Sequence, residues 1–145
     1  MDYKRTADLL EQLKIQNKSY ESYLEENQDS FIQNDLKDYW QSLLSTCPMK
    51  KTDIINKADV GYTFFYDIIK GKKIPSRDTI CKIHISMNLG LEPCQNTLKL
   101  YNWASLYPKN KRDSIIIYGI THHMALYETD ALLKQNNQPQ LAKML

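Results

Sequence analysis

Residues 50–76 read KKTDIINKADVGYTFFYDIIKGKKIPS, and the spacing of their apolar positions sets two short helices around a tight turn. Ile54, Ile55 and Ala58 make the apolar face of the first helix. Asp59-Val60-Gly61 breaks it. Val60 is the single apolar residue of the turn and is placed to plug the gap between the helices, while Gly61 is expected to relieve backbone constraint where the second helix begins. Phe65, Ile68 and Ile69 continue the core at three- and four-residue spacing, which turns Tyr62, Thr63, Tyr66 and Lys70 to the opposite, outward face.

Closed by Gly71-Lys72-Lys73-Ile74-Pro75-Ser76, the stretch has the layout of a DNA-binding helix-turn-helix. It resembles the Xre and lambda-repressor-like family of small bacterial helix-turn-helix regulators, whose signature is helix, turn, helix, Gly-Lys-Lys-x-Pro-Ser. The resemblance implies sequence-specific binding of double-stranded DNA by a homodimer that regulates transcription, as a repressor. A family member carries Gly in the turn where this chain has Asp59, a residue that tolerates left-handed angles. The family usually offers Gln, Asn, Ser or Arg to base edges, whereas this chain offers Tyr62, Thr63, Phe64 and Tyr66, so bidentate base readers are absent. Tyrosine hydroxyls still reach phosphates or bases, and methyl and aromatic groups reach thymine methyls. Base reading is therefore expected of Tyr62, Thr63 and Tyr66, and phosphate contact of Lys50, Lys51, Thr52, Lys70, Lys72 and Lys73.

Charge is concentrated on this stretch. Residues 1–46 hold five Lys or Arg against nine Asp or Glu, a net −4; residues 47–77 hold seven against three, a net +4; the remainder holds seven against five, a net +2. Such a distribution fits an electrostatic footprint for phosphates beside an acidic segment. With 145 residues, 42% of them hydrophobic, the chain can build a core without disulfides or metals. Long runs of helix formers and the lack of alternating strand patterns predict an all-α fold. Cys47, Cys81 and Cys94 have no paired short spacing, so neither a disulfide framework nor a zinc site is expected. No charged-then-apolar leader and no apolar run of membrane-spanning length is read, which predicts a cytoplasmic protein with reduced thiols.

Before the motif, residues 1–29 read as an N-terminal helical arm, with Leu9, Leu10 and Leu13 on one face of a first helix and a second short helix from Ser19 to Glu26. Glu26-Asn27-Gln28-Asp29 is the candidate hinge. Residues 30–104 then form the lambda-repressor-like domain, opened by Ile32, Leu36, Tyr39, Trp40, Leu43 and Leu44 at helical spacing. Residues 105–145 form a helical-hairpin extension, and it repeats what precedes it: 77–102 lies on 112–137 without gaps at a shift of 35 residues, pairing Arg77-Asp78 with Arg112-Asp113, Ile80 with Ile115, Ile85 with Ile120, Leu91 with Leu126, Leu98-Lys99 with Leu133-Lys134 and Asn102 with Asn137. Two stacked hairpins are predicted. Each Asp suits a helix N-terminus, and each Arg is free to pair with phosphate or with a carboxylate of the other unit. The linker Ser105–Arg112, with Lys109, Lys111 and Arg112, either touches the DNA backbone or solvates a loop.

Catalysis is not expected. His122 and His123 are adjacent and point about 100° apart on a helix, His84 has no partner in sequence, and no nucleophile elbow or phosphate-cradling Gly loop is present. No metal or cofactor is expected. The alternative function is a helix-turn-helix-derived protein-interaction module in which Tyr62, Phe64 and Tyr66 make an aromatic hot-spot patch.

Overall fold

In a computed structural model of the chain, residues 6–15, 19–27 and 32–142 are described, and among them every regular element is a helix. These are α1 (Thr6–Lys14), α2 (Tyr20–Glu26), α3 (Ile32–Ser45), α4 (Lys51–Ala58), α5 (Tyr62–Ile69), α6 (Arg77–Met87), α7 (Leu91–Leu100), α8 (Lys111–Thr121) and α9 (Leu126–Gln135). The all-α expectation holds for these residues. No described helix is long and apolar enough to cross a membrane.

One local device recurs three times. Asp59 (φ 53°), Asn88 (φ 57°) and His123 (φ 56°) each end a helix in the left-handed region. Each is followed by an apolar residue, Val60, Leu89 or Met124, and then by the residue that opens the next helix, Gly61, Gly90 or Ala125. Asp and Asn are the non-glycine residues that accept this conformation most cheaply. His123 is less suited to it, and its Nδ1 lies 2.7 Å from Asn88 Oδ1, so two of the three left-handed residues bond to each other. The structure corrects the expectation for Gly61: it sits at φ −65°, ψ 143°, ordinary extended backbone, and a Cβ there would meet only Phe64 Cβ at 3.8 Å. Asp59 supplies the strained angle of that turn, so Gly61 is not required for it.

Two apolar clusters make the core, and α6 belongs to both. Ile83 and Met87 pack with Trp40, Ile54, Ile55, Ala58, Phe65 and Ile68. Ile80, Cys81 and Ile85 pack with Cys94, Leu98, Ile115, Ile116, Ile120, Leu126 and Leu133. Buried residues stand on most sides of α6, including the polar Thr79, His84 and Ser86, as suits the central helix. A polar seam crosses the junction. Trp40, fully buried, donates from Nε1 to the Tyr101 hydroxyl at 2.7 Å. Thr97 Oγ1 donates to the Pro93 carbonyl at 3.0 Å and lies 2.6 Å from both the Tyr39 hydroxyl and His84 Nε2. The one Thr97 proton is committed to Pro93, so Tyr39 and His84 are the donors, which sets His84 as its Nε2–H tautomer. His84 Nδ1 then faces the core as a lone pair without a partner.

The sequence repeat is a structural one and runs further than the sequence match. Arg77 grips Asp113 with two bonds of 2.9 Å, and Arg112 grips Asp78 at 2.9 and 3.0 Å. Arg77 Nε also donates to Ala104 O and Arg112 Nε to Pro139 O, positions that keep the same shift. Gln95 accepts from the Leu106 amide at 2.8 Å where Asp130 accepts from the Leu141 amide, and Leu106 and Leu141 are both buried. The exchange is reciprocal: α6 touches α9 as α8 touches α7. Reciprocity of this kind is the mark of a two-fold relation. With the Arg–Asp pairs at one end and Asn88–His123 at the other, α6 and α8 run parallel along that axis. Gly119 of α8 lets α9 approach, since a Cβ there would lie 2.5 Å from Thr129 Oγ1. Of the two fates open to the arginines, the structure shows the carboxylate pairing, so Arg112 is not a free cation of the 105–112 linker.

At the other end of the chain, Leu10 and Leu13 of α1 are exposed, while Tyr23 of α2 is buried. Asn27 is also buried and donates to Gln12 Oε1 at 2.7 Å and Tyr23 O at 2.9 Å, a fixed corner between α1 and α2 where a polar hinge was expected. Gln28 and Asp29, the rest of that link, lie outside the described residues, as do residues 3–5 of the first helix, expected over residues 3–15.

Candidate nucleic-acid interface

The surface built by α4 and α5 begins with what α5 buries. Phe65 and Ile68 are fully buried, and Ile69 and Phe64 pack partly against the same cluster. The 3.6-residue period then leaves Tyr62, Thr63 and Lys70 exposed. Tyr62 is 61% exposed and is the most prominent group on the helix. Tyr66 is only half-buried rather than wholly outward: its ring stands 4.7 Å from the Tyr62 ring and edge-on to Phe65 at 5.8 Å. The neighbouring Tyr66 hydroxyl raises the Tyr62 phenol pKa above its ordinary value.

Lys51 ties α4 to this face. Its Nζ lies 5.9 Å from the centre of the Tyr66 ring, a cation–π contact across the two helices. Lys50, Lys51 and Thr52 are all exposed at the start of α4. Lys50 occupies the N-cap and makes no side-chain cap bond, and Gly61 opens α5 without one. By contrast Ser76 caps α6 through the Thr79 amide at 3.1 Å, and Asn110 caps α8 through the Asp113 amide at 3.0 Å. Uncapped helix N-termini keep amide N–H groups available to anions. Asp53, exposed in the first turn of α4, is the carboxylate that works against an anion there.

Beyond the other end of α5 lies the basic loop. Gly71 takes φ 76°, and the Asp67 carbonyl accepts from the Lys72 amide at 2.8 Å and the Lys73 amide at 3.3 Å, which folds the loop back on the helix. Lys72 and Lys73 are exposed. Trp103 Nε1 donates to Pro75 O at 3.1 Å and fastens the loop to the chain beyond α7. Tyr62 and Thr63 thus stand at one end of α5 and Lys70, Lys72 and Lys73 at the other, separated by a helix about 12 Å long. Ile74, 75% exposed between Lys73 and Pro75, was missed as a surface group because it occupies the unspecified position of the Gly-Lys-Lys-x-Pro-Ser signature.

No other constellation competes for a metal among the described residues. No group of three or more His, Cys, Asp or Glu stands close enough to hold a metal ion. His122 stacks on Tyr118 at 3.9 Å and His123 is bonded to Asn88, so the adjacent histidines serve separate contacts. Cys47, Cys81 and Cys94 are free and buried. No protein-family model, no curated protein and no solved structure matches the chain.

Proposed function

We propose that the chain is a sequence-specific DNA-binding transcriptional regulator of the lambda-repressor-like helix-turn-helix type, with α4 and α5 as the motif. In this reading α5 enters a major groove, where Tyr62, Thr63 and Tyr66 meet base edges through hydroxyl donors and methyl or ring contacts. Lys50, Lys51 and Thr52 at the open N-terminus of α4, with Lys70, Lys72 and Lys73 past α5, hold phosphates and set the register. A homodimer presenting two such helices about one DNA turn apart acts as a repressor in the cytoplasm. No step of chemistry is assigned to it.

The observation that carries the proposal is the arrangement of α5: a buried Phe65 and Ile68 face behind, an exposed Tyr62 and Thr63 in front, exposed lysines past its C-terminus, and Lys51 of α4 over the Tyr66 ring. A second reading has its own support, because Tyr62 and Ile74 expose apolar surface beside those lysines, which suits a protein-binding patch. Fluorescence anisotropy separates the two. The purified chain is titrated into a labelled duplex from upstream of its own coding sequence and into an unrelated duplex, at low and near-physiological salt. Tight binding to the first that survives added salt is the expected result. Weak, equal, salt-erased binding reduces the surface to phosphate attraction, and no binding at low salt favours the protein-interaction reading.

A further inference from the structure

Helix α5 reads YTFFYDII and contains no Arg, Lys, Asn or Gln. The base recognitions that need a bidentate side chain, Arg or Lys on guanine and Asn or Gln on adenine, are therefore closed to the helix itself. Its nearest cation in sequence is Lys70 at the C-cap, about 12 Å along the axis from Tyr62. What α5 presents instead is carbon. Tyr62 is 61% exposed, Thr63 is exposed beside it, and the Tyr66 ring, one turn on, stands 4.7 Å from the Tyr62 ring.

These groups are fixed from below. Tyr66 meets the fully buried Phe65 edge-on at 5.8 Å, and Lys51 Nζ lies 5.9 Å from the centre of the Tyr66 ring. In a major groove the base-edge group that takes apolar contact is the C5-methyl of thymine, and cytosine is bare at that carbon unless it is methylated. The Tyr62–Tyr66 ring spacing suits methyls on neighbouring base pairs, which rise about 3.4 Å per step. One group on the same side of α5 points to a different base. Asp67, half-buried one turn beyond Thr63, carries acceptor oxygens that fit the N4 amine of cytosine and find no donor on the major-groove edge of thymine.

We infer that α5 selects its DNA by the C5-methyl groups of pyrimidines in the major groove, covered by the Tyr62 and Tyr66 rings and the Thr63 methyl. The inference rests on the DNA reading proposed above and adds the class of sequence: sites rich in thymine, or in cytosine carrying the same methyl, rather than sites centred on guanine. Tyr62 and Thr63 are then the specificity-determining residues, and the lysines around them contribute affinity without preference.

The test uses the full chain and the labelled upstream duplex in three forms: unmodified, with every thymine replaced by deoxyuridine, and with every cytosine replaced by 5-methylcytosine. Each replacement changes the C5 position and leaves the hydrogen-bonding groups of the base pair in place. The deoxyuridine form should bind about tenfold more weakly, at about fourfold for each methyl lost from contact. Tyr62→Ala/Thr63→Ala should bring the ratio of the two affinities close to one, whereas Lys72→Ala/Lys73→Ala should lower both affinities and preserve the ratio. A deoxyuridine loss with unchanged binding of the methylcytosine form assigns the contacted methyls to thymine, and tighter binding of the methylcytosine form assigns them to cytosine as well. Equal binding of all three forms, as cytosine reading by Asp67 would give, overturns the methyl reading and leaves DNA binding standing. A deoxyuridine loss that persists undiminished in Tyr62→Ala/Thr63→Ala places the effect in DNA shape and also overturns it. No binding of any form at low salt overturns the DNA reading and this inference together.

Discussion

Residues 50–76 and residues 77–142 use the same local unit, a helix, a left-handed residue, an apolar plug and a second helix, yet they dispose of their polar groups in opposite ways. In the paired hairpins Arg77, Arg112, Asp78 and Asp113 lock across the two-fold, and Gln95 and Asp130 cap backbone amides. In the α4–α5 region Lys50, Lys51, Lys70, Lys72 and Lys73 remain in solvent and the helices start without side-chain caps. The difference follows from side-chain chemistry. An arginine fork fits a carboxylate in two bonds and tolerates partial burial, whereas a lysine is a strongly hydrated point charge that stays at the surface. A basic residue in this chain is therefore structural or available according to its type and its neighbours, and a count of charges does not separate the two.

The sharpest way to break the contrast is to remove one side of a reciprocal pair. Arg77→Ala leaves the Asp113 carboxylate, 8% exposed, without its guanidinium, and should cost about 3 kcal/mol of unfolding free energy in urea melts. Burial pushes the Asp113 carboxyl up, but the Arg77 guanidinium and the Tyr107 amide outweigh it and hold its pKa below the ordinary value. Its contribution is thus present at neutral pH and is lost as the pH falls through that lowered pKa. A cost below about 0.5 kcal/mol, the level of an ordinary surface change, would put Arg77 with the lysines.

A smaller effect is expected at the polar seam between the two apolar clusters. Desolvation lowers the His84 pKa from 6.5 to about 3. The unfolded chain takes up the proton first as the pH drops, so stability declines below about pH 6.5 and goes on declining toward pH 3. Between pH 7 and pH 5 the loss should be about 2 kcal/mol. His84→Gln should flatten that slope, and an unchanged slope would assign the acid sensitivity to other groups.

The lysines should behave in the reverse manner. Lys72→Ala with Lys73→Ala is expected to shift stability by less than about 0.5 kcal/mol. If the proposed DNA surface is right, the same change lowers affinity for all duplexes alike and reduces the salt slope by about one unit per lost contact. A preserved slope removes these lysines from the phosphate contacts. An effect of the opposite sign is expected at Gly61, where Gly61→Ser meets extended backbone, open space and a free cap position. It should be neutral or stabilising by up to about 1 kcal/mol in the same melts. A clear destabilisation would show that the turn needs its glycine after all.

Much of this architecture was legible in the residues because it is local. The helices around Ile54, Phe65 and Trp40 follow from apolar periodicity, the turn at Asp59 from its tolerance of left-handed angles, and the paired hairpins from the Arg-Asp repeat. The surface was legible in part: the exposure of Tyr62, Thr63 and Lys70 follows from the helical period, but the half-burial of Tyr66 depends on Phe65 and on Lys51 of the neighbouring helix. Gly61 was misread because glycine in a turn suggests an unusual angle, and only the backbone shows that Asp59 adopts it.

The sequence by itself determined the helical segments, their turns and the repeat, since those depend on residues within a few positions of one another. Tertiary structure alone decided that each arginine crosses to the other hairpin and that α6 serves two cores. It also decided that Asn27 is buried. Those outcomes depend on contacts between residues far apart in the chain, whose distances no local pattern records.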